Sequence, residues 1–285
     1  IAANDYAKLY QHAAEKLSDP HLGLHVGQAI APKFLGVVGY AMMSAANLKE
    51  ALELHLRYQE LMGTYGTLEV IKNPAQWQLL WHVPEDDNIH IEEKSVATWV
   101  AFGRWITQTQ SSPIQITLRR HTPIDDECEH YFGCPIDYGC KVTTCILNNA
   151  LLELPVTQHD PFLQQEMAAK AEHALCRFND KNQLLSSVRR QLIKGFSLGE
   201  PSLNSIATIM GSSERALQRE LAVHNVNFKQ LAENTRKELA QEFIADASMS
   251  LADVAFSLGF SEQSSFQRAF KRWFGLTPGQ FRNQG

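Results

Sequence analysis

The chain has 285 residues, 44% of them apolar and 20% charged, enough to bury a sizeable core and long enough to favour two domains over one. Its formal charge of −5 hides a partition: residues 1–180 carry 13 Lys+Arg against 22 Asp+Glu, whereas residues 181–285 carry 13 against 9. No apolar run approaches the roughly 18 residues of a membrane span, and an acidic half joined to a basic half points to a sensing or assembly domain coupled to one that meets phosphates.

No signal peptide is visible, and the chain opens on Ile1 rather than Met, which implies a natural segment before it. The five cysteines, Cys128, Cys134, Cys140, Cys145 and Cys176, are odd in number and form no C-x-x-C pair. That usage suits reduced, mostly buried thiols in a cytoplasmic protein.

In chain order, residues 4–17 and 47–62 read as amphipathic helices, the second with Leu48, Ala51, Leu52, His55, Tyr58, Gln59 and Met62 at helical spacing. Strands follow at 67–72 and 76–83, joined across Lys72-Asn73-Pro74-Ala75 as a hairpin. In the second strand Trp77, Leu79, Trp81 and Val83 alternate with Gln78, Leu80 and His82. A helix over 91–110, with Val96, Trp99, Val100, Gly103 and Ile106 on one face, and strands at 114–120 and 139–147 complete the half. This order predicts an α+β domain, helices packed on a mostly antiparallel sheet.

From Asp160-Pro161, an N-cap followed by proline, the rest reads as all-α. One helix is expected to about 178 and another to about 194, separated by the polar break Asn179-Asp180-Lys181-Asn182. The domains are therefore placed at 1–180 and 181–285, with a short flexible joint.

Within the second domain one supersecondary unit is written twice. Ser202-Leu203-Asn204-Ser205-Ile206-Ala207 leads through Gly211 to Leu217-Gln218-Arg219-Glu220-Leu221. Ser250-Leu251-Ala252-Asp253-Val254-Ala255 leads through Gly259 to Phe266-Gln267-Arg268-Ala269-Phe270. In each copy the serine is an N-cap, the alanine marks a close helix approach, and the glycine ends the first helix where positive φ is tolerated. Leu217 and Leu221, or Phe266 and Phe270, then point inward at i, i+4 spacing. The opposite faces carry Ser213, Arg215, Gln218 and Arg219 in copy one, and Gln263, Ser264, Gln267, Arg268 and Lys271 in copy two. Arg pairs bidentately with guanine and Gln with adenine, each worth about 1–3 kcal/mol of discrimination. One such helix alone would more often be a solvated face. Two, each after a matching glycine turn, make a DNA reader.

Residues 200–285 resemble the paired helix-turn-helix domain of the AraC/XylS family of bacterial transcription regulators. The match is strongest from Leu251 through Gly259-Phe260-Ser261 and on through Phe266 to Trp273-Phe274-Gly275-Leu276-Thr277-Pro278. The first copy departs at Met210 and Ser212, which puts its packing in question. The resemblance implies motifs at 202–222 and 250–272, with recognition helices at 213–222 and 262–272 that enter successive major grooves. A connecting helix over 228–245 is matched by Arg236, Leu239, Ala240 and Phe243. Residues 15–160 resemble the sensing domain of the ornithine-utilisation regulator group, not the cupin barrel of the arabinose sensor. The carrying residues are Asp19-Pro20-His21-Leu22-Gly23-Leu24-His25-Val26-Gly27, Gly36-Val37-Val38-Gly39-Tyr40-Ala41-Met42-Met43-Ser44 and Leu48-Lys49-Glu50-Ala51-Leu52.

Other constellations are weaker. His21 and His25 have helical metal-ligand spacing, but Gly23 between them weakens a helix and no carboxylate or cysteine stands at a suitable sequence distance. Cys128, Cys134, Cys140 and Cys145 read as buried thiols rather than a thiolate cluster or redox sensor. Trp77, Trp81, Trp99 and Trp105 read as core before they read as the lining of an effector pocket. Asp86-Asp87 and Asp125-Asp126-Glu127 read as loop carboxylates without a partner base, and no metal or cofactor is called for. The expectation is a cytoplasmic, non-enzymatic, effector-responsive activator that binds promoter DNA and, by resemblance, contacts RNA polymerase. Its first domain would sense a small molecule or form a homodimer. The rivals are a constitutive regulator whose first domain only dimerises, and an enzyme or metal-dependent sensor with a DNA-binding tail.

Overall fold

The computed structural model of the chain describes residues 3–63, 65–83, 88–120, 125–199 and 201–283. Contacts divide the chain into two compact units, Ile1–Cys176 and Arg177–Gly285.

The first unit opens with α1 (Ala3–Leu17) and then departs from the expected order. Helices α2 (Leu22–Gln28) and α3 (Gly36–Met43), with a 3-10 turn at Pro32–Leu35 between them, form where no element was expected. Gly23 does not interrupt α2; it lets the helix approach its neighbour. A Cβ there would lie 2.0 Å from the His90 carbonyl oxygen, and one on Gly27 would lie 2.5 Å from the Ala97 Cβ. Helix α3 is apolar on every face, so it shows no 3.6-residue stripe to read.

Helix α4 (Leu48–Met62) begins at Asn47, whose Oδ1 accepts the Glu50 N–H at 2.9 Å. The hairpin of β1 (Thr67–Lys72) and β2 (Gln76–His82) turns on Asn73, whose Oδ1 accepts the amides of Ala75 and Gln76. Helix α5 (Ile89–Thr107) replaces the expected span of 91–110: Asn88 caps its start, and Gln108, at φ +52°, ends it. The expected strand at 114–120 shrinks to β3 (Gln115–Thr117). Helix α6 (Glu127–Phe132) and the two-residue β4 (Ile136–Asp137) follow, both unanticipated because they are too short to show a period. The expected strand at 139–147 becomes β5 (Thr143–Asn148), since Gly139 turns the chain at φ +74°. Helix α7 (Asn149–Leu152) closes the run.

The sheet order is β1-β2-β5-β3-β4, antiparallel except for β3 against β4. Its edges, β1 and β4, do not pair with each other, so it is an open sheet and not a barrel. Trp77, Leu79, Ile116 and Cys145 from the sheet pack with Val96 and Val100 of α5 and Phe132 of α6. Trp105 packs beside Phe102 in a neighbouring cluster. Trp81 and Trp99 meet edge to face at 5.6 Å, pack against the same sheet core and also line open space.

His21, at the N-cap of α2, and His25 within it face acids, contrary to the expectation from sequence distance. Nε2 of His21 lies 3.0 Å from Asp125 Oδ1, and His25 reaches Asp19 at 2.8 Å and Glu127 at 2.7 Å. Asp125 and Glu127 are therefore not unpartnered loop carboxylates; Asp86 and Asp87 lie outside the described residues. Donor atoms of His21, Glu93 and Cys128 also fall within 4.8 Å of one another. Glu93 is already paired with Arg120, and burial pushes the Cys128 thiol up to about 12. Burial likewise raises Cys134 to about 11 and Cys145 higher still, the opposite of a reactive thiolate. Cys176 is exposed.

Helix α8 (Pro161–Phe196) is continuous. The polar run at 179–182 does not break it, because it holds no Gly or Pro and Asn179, Asp180 and Asn182 face solvent. In the second unit Leu184, Val188, Leu192 and Phe196, four residues apart, pack into one core with α9 (Leu203–Ile209), α10 (Glu214–Val223), α11 (Phe228–Ala245), α12 (Leu251–Ser257) and α13 (Gln263–Phe274). Helix α14 (Pro278–Arg282) ends the unit. No helix among the described residues is long and apolar enough to cross a membrane.

Candidate nucleic-acid interface

Both copies of the repeat fold as helix, turn, helix. Ser202 and Ser250 close reciprocal capping boxes with Ser205 and Asp253, which start α9 and α12. Gly211 and Gly259 sit at φ +71° and +79° and reverse the chain into the second helices. Ala207 and Ala255 are wholly buried where the helices cross, and Leu217, Leu221, Phe266 and Phe270 are at most 1% exposed.

Burying those positions fixes the opposite faces. Ser213, Arg215, Gln218 and Arg219 are all exposed, as are Gln263, Ser264, Gln267, Arg268 and Lys271. The first four line one shallow depression with Ala216 and Ala222, so α10 gathers its polar side chains around a common surface. Ser213 also caps α10, its Oγ accepting the Ala216 N–H at 3.2 Å. On α13, Ser264 donates to Glu262 at 3.1 Å, and Arg268 Nη2 donates to Ser265 Oγ at 3.1 Å. That last bond steers the guanidinium along the helix toward its N-terminal end, an arrangement the spacing alone did not disclose.

Copy two is anchored by groups that the repeat pattern did not single out. Glu233 of α11 accepts from Arg272 and from the Trp273 indole, each at 3.0 Å. The Trp273 N–H, then the Arg272 charge, hold the Glu233 carboxyl below its ordinary range. Arg236 lies over the rings of Phe196 at 4.6 Å and Phe260 at 5.3 Å. Phe260 occupies the place after the glycine where copy one has Ser212, and it packs on Phe266 and Trp273. The first copy keeps its buried Ile206, Leu217 and Leu221 with Met210 half-buried, so its core closes without that aromatic set.

The model described as "Arabinose-binding domain of AraC transcription regulator, N-term" matches residues 1–156, more than half of the chain. The chain belongs to the AraC family of transcription regulators. A helix-turn-helix family model matches residues 206–284 of this regulator. Among curated proteins it is 25% identical over 283 residues to the ornithine utilization regulator of Pseudomonas aeruginosa, covering 98% of this chain and 83% of that one. It is also 25% identical over 289 residues to the regulator VirS of Mycobacterium tuberculosis, covering 98% and 84%. The crystal structure of the transcriptional regulator CdpR from Pseudomonas aeruginosa aligns at 20% identity and a TM-score of 0.43, over 92% of this chain and 86% of that one. This AraC-family regulator thus combines an α+β N-terminal domain with an all-α, helix-turn-helix DNA-binding domain.

Proposed function

We propose that this regulator reads promoter DNA through α10 and α13, with Ser213, Arg215, Gln218 and Arg219 in one major groove and Gln263, Ser264, Gln267, Arg268 and Lys271 in the next. The duplicated unit carries the reading: in both copies the burial of one helical face leaves Gln and Arg, the residue types of base readout, on the other. The protein works in the cytoplasm, catalyses nothing, and activates transcription by helping RNA polymerase at its promoter. Its N-terminal unit binds a small-molecule effector and carries a homodimer contact. The arabinose-binding description of the matching model and the regulatory names of the relatives support an effector-responsive activator.

The test pairs two DNAs with two arginines. Arg268→Ala and Arg219→Ala should each weaken the specific operator by about 1–3 kcal/mol and scrambled duplex much less, with melting curves unchanged. Equal losses on both DNAs would assign these arginines to phosphates and overturn base readout. Sedimentation of the whole chain without DNA should give a dimer; a monomer at every workable concentration would remove the homodimer.

A further inference from the structure

The first unit contains open space that its core does not need. One cavity of about 350 Å3 and a smaller one of about 80 Å3 share Leu35, His55, Thr98 and Trp99 as walls. The smaller is lined chiefly by apolar side chains, among them Met42, Leu52, Leu79, Phe102 and Leu147. Its one cation, Arg104, is fully engaged by the carbonyl oxygens of Ser111, Tyr131 and Phe132.

Several polar groups around the larger space are already engaged, Tyr6 among them, whose hydroxyl donates to that of Tyr10 at 3.3 Å. Gln59 spends its amide on the backbone of Leu56 and Leu68, and Ser95 donates to the Ile91 carbonyl. Thr98 Oγ1 and the Trp81 indole nitrogen are buried with no hydrogen-bond partner. A buried polar group left so costs about 1–3 kcal/mol, and such groups are uncommon enough to need a reason. His55 stands between the two spaces, and burial pushes its imidazole down to about 4, so it is neutral at pH 7. Half-buried Lys94 lines the larger space and has no ion pair among the described residues. Trp81 can only donate, and Lys94 can only donate.

We propose that these adjoining cavities, which share a wall, together bind an apolar small molecule carrying a single oxygen-acceptor end, a carbonyl or carboxylate, with its body toward the aliphatic space and its oxygen facing Trp81, Thr98 and Lys94. A sugar does not suit the smaller, aliphatic space, because each buried hydroxyl without a partner there costs binding energy. The aliphatic wall supplies affinity, and the orphaned donors supply orientation. The site rests on the effector-responsive reading for its regulatory meaning, while its existence does not.

The test is calorimetric titration of the full chain with octanoate, 2-octanone, octylamine and L-arabinose. Octanoate and 2-octanone should bind, and octylamine and arabinose should not. Thr98→Val and Trp81→Phe should each weaken both binders about tenfold. Lys94→Met, at the half-exposed position, should weaken octanoate and leave 2-octanone unchanged. Absence of binding by either oxygen-bearing probe at millimolar concentration overturns the site. Equal binding of octylamine or arabinose overturns the ligand class, and indifference to Thr98→Val and Trp81→Phe overturns the polar end. Operator titrations with and without the bound probe keep the two readings apart: binding with unchanged DNA affinity sustains the site and sinks its effector role for that probe class.

Discussion

The two turn glycines do the same conformational work in different surroundings, and their alanine variants should separate the two contributions. Gly211 sits at φ +71°, and a Cβ built on it meets nothing within 4 Å. Gly211→Ala should therefore cost only the left-handed backbone penalty, about 1–2 kcal/mol. Gly259, at φ +79°, would place its Cβ 2.8 Å from the Phe196 carbonyl oxygen and 2.9 Å from that of Gly199. Those are backbone atoms at the end of α8 and just beyond, so the clash moves main chain rather than a flexible side-chain tip. Overpacking of that kind adds about 1–3 kcal/mol, which takes Gly259→Ala to roughly 2–5 kcal/mol in all. Urea unfolding of the whole chain, followed by circular dichroism, measures both losses as midpoint shifts at constant slope. Equal losses at the two glycines would refute the close-approach argument and leave φ as the sole constraint.

Phe270→Ala, at a ring wholly buried among Phe266, Phe274 and Phe281, should cost about 3–5 kcal/mol and lower binding to every DNA alike. A melting curve beside paired DNA titrations decides it, and a sequence-selective loss would refute the packing role. Operator affinity should fall steeply with salt, log affinity against log concentration dropping about 0.9 for each phosphate neutralised, and a flat plot would contradict phosphate contact. Glu93 is raised from 4.5 to about 7, chiefly by burial. Its folded value exceeds the unfolded one, so its contribution to stability is full below about 4.5 and is lost as pH rises through 7. Glu93→Gln should flatten that part of the melting-temperature profile; an unchanged slope would show that Glu93 does not set it.

What the sequence disclosed follows from how local each signal is. The two capping serines and the Asn73 hairpin depend on residues within one turn of each other, and they were legible, whereas the span of α11 came from the family resemblance. Helix α2 was not, because Gly23 reads as a breaker until the backbone of His90 stands against it. The run at 179–182 misled in the other direction: polarity imitates a linker when it is only the solvent face of a helix. The exposed faces of α10 and α13 followed from the spacing of Leu217, Leu221, Phe266 and Phe270. Of the cavity only the tryptophans gave a hint, second to their reading as core, since His55, Trp81 and Thr98 lie on α4, β2 and α5 and meet only after folding.

The grip of α11 on the second head has a metric consequence. Glu233 and Arg236 fix that head to a helix of 18 residues, about 27 Å from end to end. An operator addressed by both heads is then gauged as well as spelled. One base pair inserted between its half-sites displaces the second by about 3.4 Å and swings it roughly a tenth of a turn around the duplex. A hydrogen-bonded helix does not stretch to follow, so the misfit must be met by bending DNA or by releasing a head. If both heads read the operator as proposed, two promoters with identical letters and different intervals are, to this protein, different addresses.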